Sequence, residues 1–335
     1  MPSLRYRYND DNYKYFGKTN ANAGISKHYT NSMSAGFSSS YQTGKGEWGL
    51  GTEVRREEIH SSNIGRHSRK NLGIHWQYRN YLFKNLNLNL GTYINYNSDY
   101  KWQIYPGLDA SYLITDRFRI IGNIGTSQRI PSFTDLYLNQ RPGNIGNPDL
   151  RPENAVQGEL GFKIINRKID FNGGFFYRKI SRFIDWTRKT DADPWQSNNF
   201  GNMFTKGINM RSSYPVSISK DSRLNVHLAY SYLKSEFRDM EPGLASKYLI
   251  SSLKHQLTNT VDFQYARFSV LSATRFNHRI SGPSYWINDF RINQSINKVT
   301  IILDAQNIFN TTYYEIGAIP LPSRWLSLGV KFVNF

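Results

Sequence analysis

The chain has 335 residues, with 42 Lys plus Arg against 25 Asp plus Glu, and a formal charge of +17. Only 39% of the residues are hydrophobic, yet 15% are aromatic. This balance excludes a Leu- and Val-rich globular core and a disordered chain, which would be poor in aromatics. A membrane-spanning helix is excluded as well, since no apolar run approaches about 18 residues. What remains is an aromatic-rich soluble β protein or a transmembrane β-barrel, in which only every second residue meets lipid. The absence of Cys removes disulfides and Cys-ligated metals. Basic residues are spread along the whole length, so they read as solvated loop and lumen positions and not as a nucleic-acid surface. The opening residues, MPSLRYRYNDDNYKYFG, contain no apolar core or cleavage site of a signal peptide.

Taken in chain order, period-two alternation predicts strands over 3–9, 28–42, 47–57, 72–83, 86–96, 103–114, 117–128 and 155–166. It continues over 169–186, 204–218, 222–235, 247–258, 261–277, 285–296, 299–309 and from 326 to the end. Residues 86–96, LNLNLGTYINY, and 326–332, LSLGVKF, show it most cleanly. Tight-turn sequences are expected at 44–45, 84–85, 115–116, 166–167, 219–222, 259–260 and 297–298. Longer connections are expected at 10–27, 58–71, 129–154, 187–203, 236–246, 278–284 and 310–322, with a short one near 98–102. Long and short connections therefore alternate, as in an outer-membrane barrel with short periplasmic turns and long extracellular loops. The count is about 16 antiparallel strands, an even number.

Residues 124–153 read IGTSQRIPSFTDLYLNQRPGNIGNPDLRPE. Arg129, Pro131, Phe133, Asp135, Leu136 and Tyr137 form one motif. Gly146, Asn147, Pro148, Asp149, Leu150, Arg151, Pro152 and Glu153 form a second, with Glu159 and Gly161 opening the next strand. Near the end, Asn307, Phe309 and Tyr313 lie in AQNIFNTTY, Pro322 and Arg324 precede the last strand, and Phe335 ends the chain. These segments resemble the TonB-dependent outer-membrane receptors, in overall look those for cobalamin and siderophores in Bacteroidetes-type bacteria. The resemblance implies a barrel of 22 strands with an N-terminal plug. Here about 16 strands are expected across 1–335, without plug or signal peptide, as in the C-terminal part of a receptor. It also implies a Gram-negative outer-membrane location, a bulky small-molecule ligand, lipid and lipopolysaccharide neighbours, and insertion by the outer-membrane assembly machinery, which reads the terminal Phe335. Energised transport depends on the TonB complex, contacted through the plug.

The residues themselves read first as a rigid loop-folding motif. Pro131 and Pro152 suit strand ends, Asn147-Pro148 starts a turn, and Glu153 can pair with Arg129 or Arg151 as a surface ion pair worth about 0–1 kcal/mol. Loop cations Arg129, Arg141, Arg188 and Lys189 are candidates to attract anionic chelates or lipopolysaccharide phosphates. Trp195 and Phe200 lie deepest in a loop and are candidates to stack on a ligand. Trp186, Trp286 and Tyr248 read as an aromatic belt at headgroup level, with Trp286 kept as a ligand contact at the rim. Tyr285, Tyr313 and Tyr314 lie near the same ends. No cofactor is expected. Asp191-Ala192-Asp193 and Asp10-Asp11 lack the spacing of a calcium loop. His278 beside Ser281 is the weak basis for a hydrolase, one of three rivals to the receptor reading. The others are a passive 16-stranded porin and a soluble sandwich.

Overall fold

The computed structural model describes residues 1–15, 24–80, 83–239, 241–247, 253–280, 282–315 and 319–332. The chain begins with β1 (Pro2–Tyr15), β2 (Gly24–Thr43), β3 (Gly46–Ser61), β4 (Gly65–Asn80), β5 (Leu86–Asn97), β6 (Lys101–Thr115) and β7 (Phe118–Arg129). A one-turn helix α1 (Phe133–Tyr137) and the short strands β8 (Asn139–Gln140) and β9 (Asn144–Ile145) follow. Next come β10 (Glu153–Ile165), β11 (Asp170–Ser181), β12 (Ile184–Arg188), β13 (Trp195–Asn199), β14 (Asn202–Ser217) and β15 (Ser222–Arg238). The last are β16 (Ala245–Ser246), β17 (Leu253–Tyr265), β18 (Phe268–Arg279), β19 (Tyr285–Ile296), β20 (Val299–Gln306) and β21 (Trp325–Phe332). Sixteen of these form one antiparallel sheet in chain order, from β1 to β21. The five short strands β16, β12, β13, β9 and β8 form a second sheet at one end.

Alternation sorts the large sheet into two faces. On β5 and β6, Leu86 opposes Tyr112, Leu90 opposes Leu108 and Ile94 opposes Ile104. On the reverse face Asn89 donates to Asp109 at 3.2 Å, and Asn95 to Gln103 at 3.2 Å. The same polar face carries Arg275–Asp289 and Arg291–Asp304 pairs at 3.1 and 2.6 Å. The apolar face is bare: Leu160, Ile104 and Leu328 are 65%, 64% and 73% exposed. Such continuous apolar exposure is stable only against lipid. Aromatics flank it at two levels, with Trp48 on Trp76 and Tyr78 near the turn end and Tyr96 on Trp102 near the other. The buried hydrophobic cluster, Leu136, Leu150 and Ile184 with Tyr137 against it, lies between strands and not inside the sheet.

Sixteen strands match the expected number, but some boundaries move. The expected turn at 259–260 is mid-strand in β17, and the chain reverses at Ala266-Arg267, where Ala266 takes φ +47. Asn259 signals a turn by residue type, yet it opposes Leu228 on one side and Thr274 on the other. The expected loop at 58–71 closes in three residues, because β3 and β4 pair from Gly46–Asn80 to Ser61–Gly65. Their ends, polar on both faces, need no lipid and so lose the alternation that marks a strand. The segment expected at 169–186 breaks at Arg182, which adopts φ +57 between β11 and β12. Asp10 and Asp11 oppose Tyr29 and His28 and so lie on opposite faces of β1.

Leu90→Arg places a cation on the apolar face and is expected to destabilise the protein by about 2–4 kcal/mol in phospholipid vesicles. Asn89→Arg, on the face with Asp109, is expected to cost less than about 1 kcal/mol. Urea unfolding followed by Trp fluorescence measures both, and equal effects contradict this assignment of faces.

Candidate ligand site on the loop side

Seven tight turns lie at one rim and the long connections at the other. At the long-loop rim, three connections are sewn together by backbone pairing. β12 pairs with β13 and β16, and β13 pairs in parallel with β9. The site is built on this small sheet.

Its anchor is Arg129, the last residue of β7. One guanidinium nitrogen donates to Asp135 at 3.0 Å and another to Glu153 at 2.9 Å. Asp135 also accepts the backbone N–H of Ser132 at 3.0 Å, and the Ser132 hydroxyl accepts that of Asp135, closing a capping box on α1. Glu153 accepts the Ile184 amide at 2.7 Å, which ties β12 to β10. The pair read as a surface contact is thus a partly buried triad: the Glu153 and Asp135 side chains are 9% and 12% exposed.

The rest of the motif completes the loop. A Cβ on Gly146 would stand 2.7 Å from the backbone of Leu136, Tyr137 and Leu138, so only glycine fits there. Asn147 donates its amide to the Asp135 carbonyl at 2.9 Å and turns the chain by accepting from Asp149. Pro131 is fully buried, and its carbonyl accepts from Arg69 at 3.0 Å. Arg69, on β4, also pairs with Asp99 at 3.0 Å and lies 4.7 Å from the Phe133 ring centre. His67 stacks on Tyr137 at 3.6 Å, and Tyr100 donates to the Leu150 carbonyl at 3.1 Å. Pro148, Pro152 and Tyr137 belong to the same folded block. The C-terminal motif works similarly. Asn307, 3% exposed at φ +46, receives the Thr311 amide and donates to the Thr311 and Pro322 carbonyls. Tyr313 packs on Tyr285 at 5.0 Å, and burial raises its pKa. Phe309 is exposed. Phe335, Tyr248 and Ser281 lie outside the described residues.

The candidate ligand contacts separate. Trp186 is not in a lipid-facing belt: it is buried in the loop sheet, with the Lys247 ammonium 5.9 Å from its ring. Trp195 holds Arg188 over its ring at 4.5 Å and Lys247 at 5.8 Å. Phe200 is buried against Phe237, ring centres 6.0 Å apart, and lies at the wall of the cavity near Lys189 and Glu241. Trp286 is exposed on the apolar face and packs on Phe276 at 4.7 Å. Arg141 is exposed between β8 and β9. Arg188 pairs with Asp191, and Lys189 with Glu241 at 2.7 Å, a hydrogen bond that raises the lysine pKa. Asp193 is held below the usual carboxylate range by hydrogen bonds from the Thr190 hydroxyl and amide. His278 opposes His255, their ring centres 5.7 Å apart.

A cavity of about 720 Å³ opens between α1, β9 and β12, bounded by Arg129, Asp135, Glu153, Asn144, Trp186 and Lys247. A second, about 520 Å³, lies near His60 and Arg66, and a third, about 590 Å³, near Lys189 and Glu241. The residues that sequence reading missed are Arg69, Tyr100, Asp185 and Lys247. Arg69 sits on an alternating polar face, but nothing local reveals its partners 30 and 62 positions away.

The family described as TonB dependent receptor-like, beta-barrel, matches residues 2–331. The chain belongs to this family. Over 240 residues it is 23% identical to the vitamin B12 transporter BtuB of Photobacterium profundum, an alignment covering 66% of this chain and 38% of that protein. The ferric enterobactin receptor of Pseudomonas aeruginosa shares its fold at a TM-score of 0.78 with 15% identity, covering 98% of this chain and 58% of the other. The FrpB iron transporter of Neisseria meningitidis does so at 0.73 with 14% identity, covering 92% and 56%. The chain therefore spans less than two thirds of the length of the proteins it matches. It is an outer-membrane β-barrel of the TonB-dependent receptors.

Arg129→Ala leaves Asp135 and Glu153 without their shared cation and is expected to cost about 2 kcal/mol of local stability. Hydrogen exchange at the Ile184 amide should then accelerate about thirtyfold. Gly146→Ala should open residues 130–152 to proteolysis while the strand amides keep their protection. Unchanged exchange in both variants contradicts the anchoring role given to this block.

Proposed function

We propose that this chain forms the wall and outer vestibule of a receptor for a bulky corrinoid such as cobalamin. In this reading transport is binding followed by release energised through TonB in the whole receptor, with no covalent chemistry and no catalytic residue. One observation carries the choice of ligand: the extracellular cavity is charge-compensated. Arg129 and Lys247 face Asp135 and Glu153, two cations against two carboxylates. By sequence, the connections on the loop rim hold Lys18, Arg141, Arg151, Arg182, Arg188, Lys189, Lys247 and Arg324, eight cations. They also hold Asp99, Asp135, Asp149, Asp185, Asp191, Asp193, Asp239, Glu241 and Glu315, nine acids, for a net −1. A multiply anionic ferric chelate finds no attractive field there. A large, weakly charged ligand needs none, and the Trp186 wall beside the Lys247 donor offers apolar contact with a polar handle. The B12 transporter relative supports the same choice.

The porin rival is disfavoured by the second sheet, which rigidifies three loops over one end. Bilayer lipid, lipopolysaccharide and the outer-membrane assembly machinery complete the proposed partners, as for any barrel of this membrane.

Equilibrium binding to the purified protein should show saturable affinity for cyanocobalamin that changes less than about twofold between 50 and 300 mM NaCl. Trp186→Phe should weaken it by about threefold and Lys247→Gln by about tenfold. Preferential, strongly salt-dependent binding of a ferric catecholate would instead return the reading to siderophore uptake.

A further inference from the structure

The charge that the loops lack is at the opposite rim. The seven connections there are residues 44–45, 81–85, 116–117, 166–169, 218–221, 266–267 and 297–298. Each contains a cation: Lys45, Lys84, Arg117, Arg167 with Lys168, Lys220, Arg267 and Lys298. The only acids in them are Asp116 and Asp221, so eight cations against two carboxylates leave a net +6. With −1 at the loops, the two rims differ by seven charges. All eight basic side chains belong to exposed residues. Among the described residues none of them enters an ion pair.

We propose that this rim is a binding ring for anionic glycerophospholipid headgroups in the inner leaflet of the outer membrane. Depth selects the lipid over a soluble acidic partner. An exposed apolar side chain lies within three residues of the cation in every turn. Trp48 follows Lys45 by three positions, Phe83 precedes Lys84, Tyr265 precedes Arg267 by two, and Ile296 precedes Lys298 by two. Beside Arg167 and Lys168, Ile165 shares the polar face with Lys163 and Asp170. The lipid-face residues there are Ile164 and Phe171, three positions from the two cations respectively. At about 3.3 Å per residue, each cation therefore starts no more than about 10 Å from lipid-facing surface. Lys and Arg side chains span that interval with their apolar stems in the acyl boundary and their charges at the phosphates. The Tyr78 hydroxyl donates to the Lys45 carbonyl at 3.2 Å, which fixes one turn directly against the aromatic belt. Tight turns also hold the cations in place, so binding orders few additional torsions. A row of turns along the rim, each with at least one cation, collects many headgroups with one contact each and does not form a pocket for one lipid.

The test uses the protein reconstituted in nanodiscs with equal parts phosphatidylglycerol and phosphatidylcholine. Lipids retained on release into the mass spectrometer are counted. The ring predicts about threefold or greater enrichment of phosphatidylglycerol, falling towards unity in 0.5 M salt. The variant Lys45→Gln, Lys84→Gln, Arg267→Gln, Lys298→Gln changes only exposed turn residues. It should lose most of the enrichment while its heat-modifiable gel mobility shows a folded barrel. A matched set on the loop rim, Arg141→Gln, Arg151→Gln, Lys189→Gln and Arg324→Gln, should leave the enrichment intact. Absence of enrichment in the parent protein, or undiminished enrichment in the folded turn variant, overturns the proposal. If the turn variant fails to fold, the single substitutions Lys45→Gln and Lys298→Gln replace it, each expected to lower the enrichment, and undiminished enrichment in both folded single variants overturns the proposal.

Discussion

Every backbone N–H and C=O inside a bilayer must be paired within the protein, since lipid offers no partner. This constraint organises the whole chain. It forces strands to pair with their chain neighbours from β1 to β21 and leaves side chains free to divide by parity. One parity supplies lipid with Leu, Ile and aromatics, and the other supplies Asn, Ser and ion pairs to the interior. A chain with only 39% hydrophobic residues can therefore span a membrane, because half of each strand never meets it.

Outside the bilayer the constraint lapses, and folding there must be built differently. On the loop rim one cation organises the structure. Arg129 joins the end of β7 to α1 through Asp135 and to β10 through Glu153, and Glu153 in turn holds β12. Leu136, Leu150 and Ile184 then bury what little apolar surface the loops possess. The motif is thus a small folded unit set on the barrel wall by Arg69, His67 and Tyr100. Its charges are compensated, two cations against two carboxylates around the cavity, while the turn connections carry a net +6 of the chain's +17. The cavity of the loop sheet thus lies at one end of the molecule and a row of exposed turn cations at the other.

Parity and strand number were legible because period two is a direct projection of the two faces onto the sequence. In LNLNLGTYINY the alternation alone sorts the residues between the two faces. Boundaries failed where that projection stops. Residues 58–71 are polar on both faces beyond the membrane, so their pairing left no pattern. Asn259 carried the chemistry of a turn inside a strand. The roles of single loop residues were less accessible still. Trp186 and Phe200 have the composition of belt and ligand contacts, and only the long-range pairing of β12 and β13 shows that both are buried. Of the cations expected to draw anions, Arg129 ends β7, while Arg141, Arg188 and Lys189 lie among the elements of the loop rim. The Arg129–Glu153 pair was readable from the motif and Arg188–Asp191 is local, but the Lys189–Glu241 pair joins separate segments, which one sequence does not display.

The account rests most heavily on the extracellular cavity beside Arg129 and Trp186 as the place where a weakly charged, bulky ligand is held. A cryo-EM structure of the protein in lipid, saturated with cyanocobalamin, tests this directly. The account predicts corrin density against Trp186 and Lys247, with the Arg129–Asp135–Glu153 triad intact beneath it. A resolved loop sheet with an empty cavity at saturating corrinoid, or corrin density confined to another surface, would contradict it.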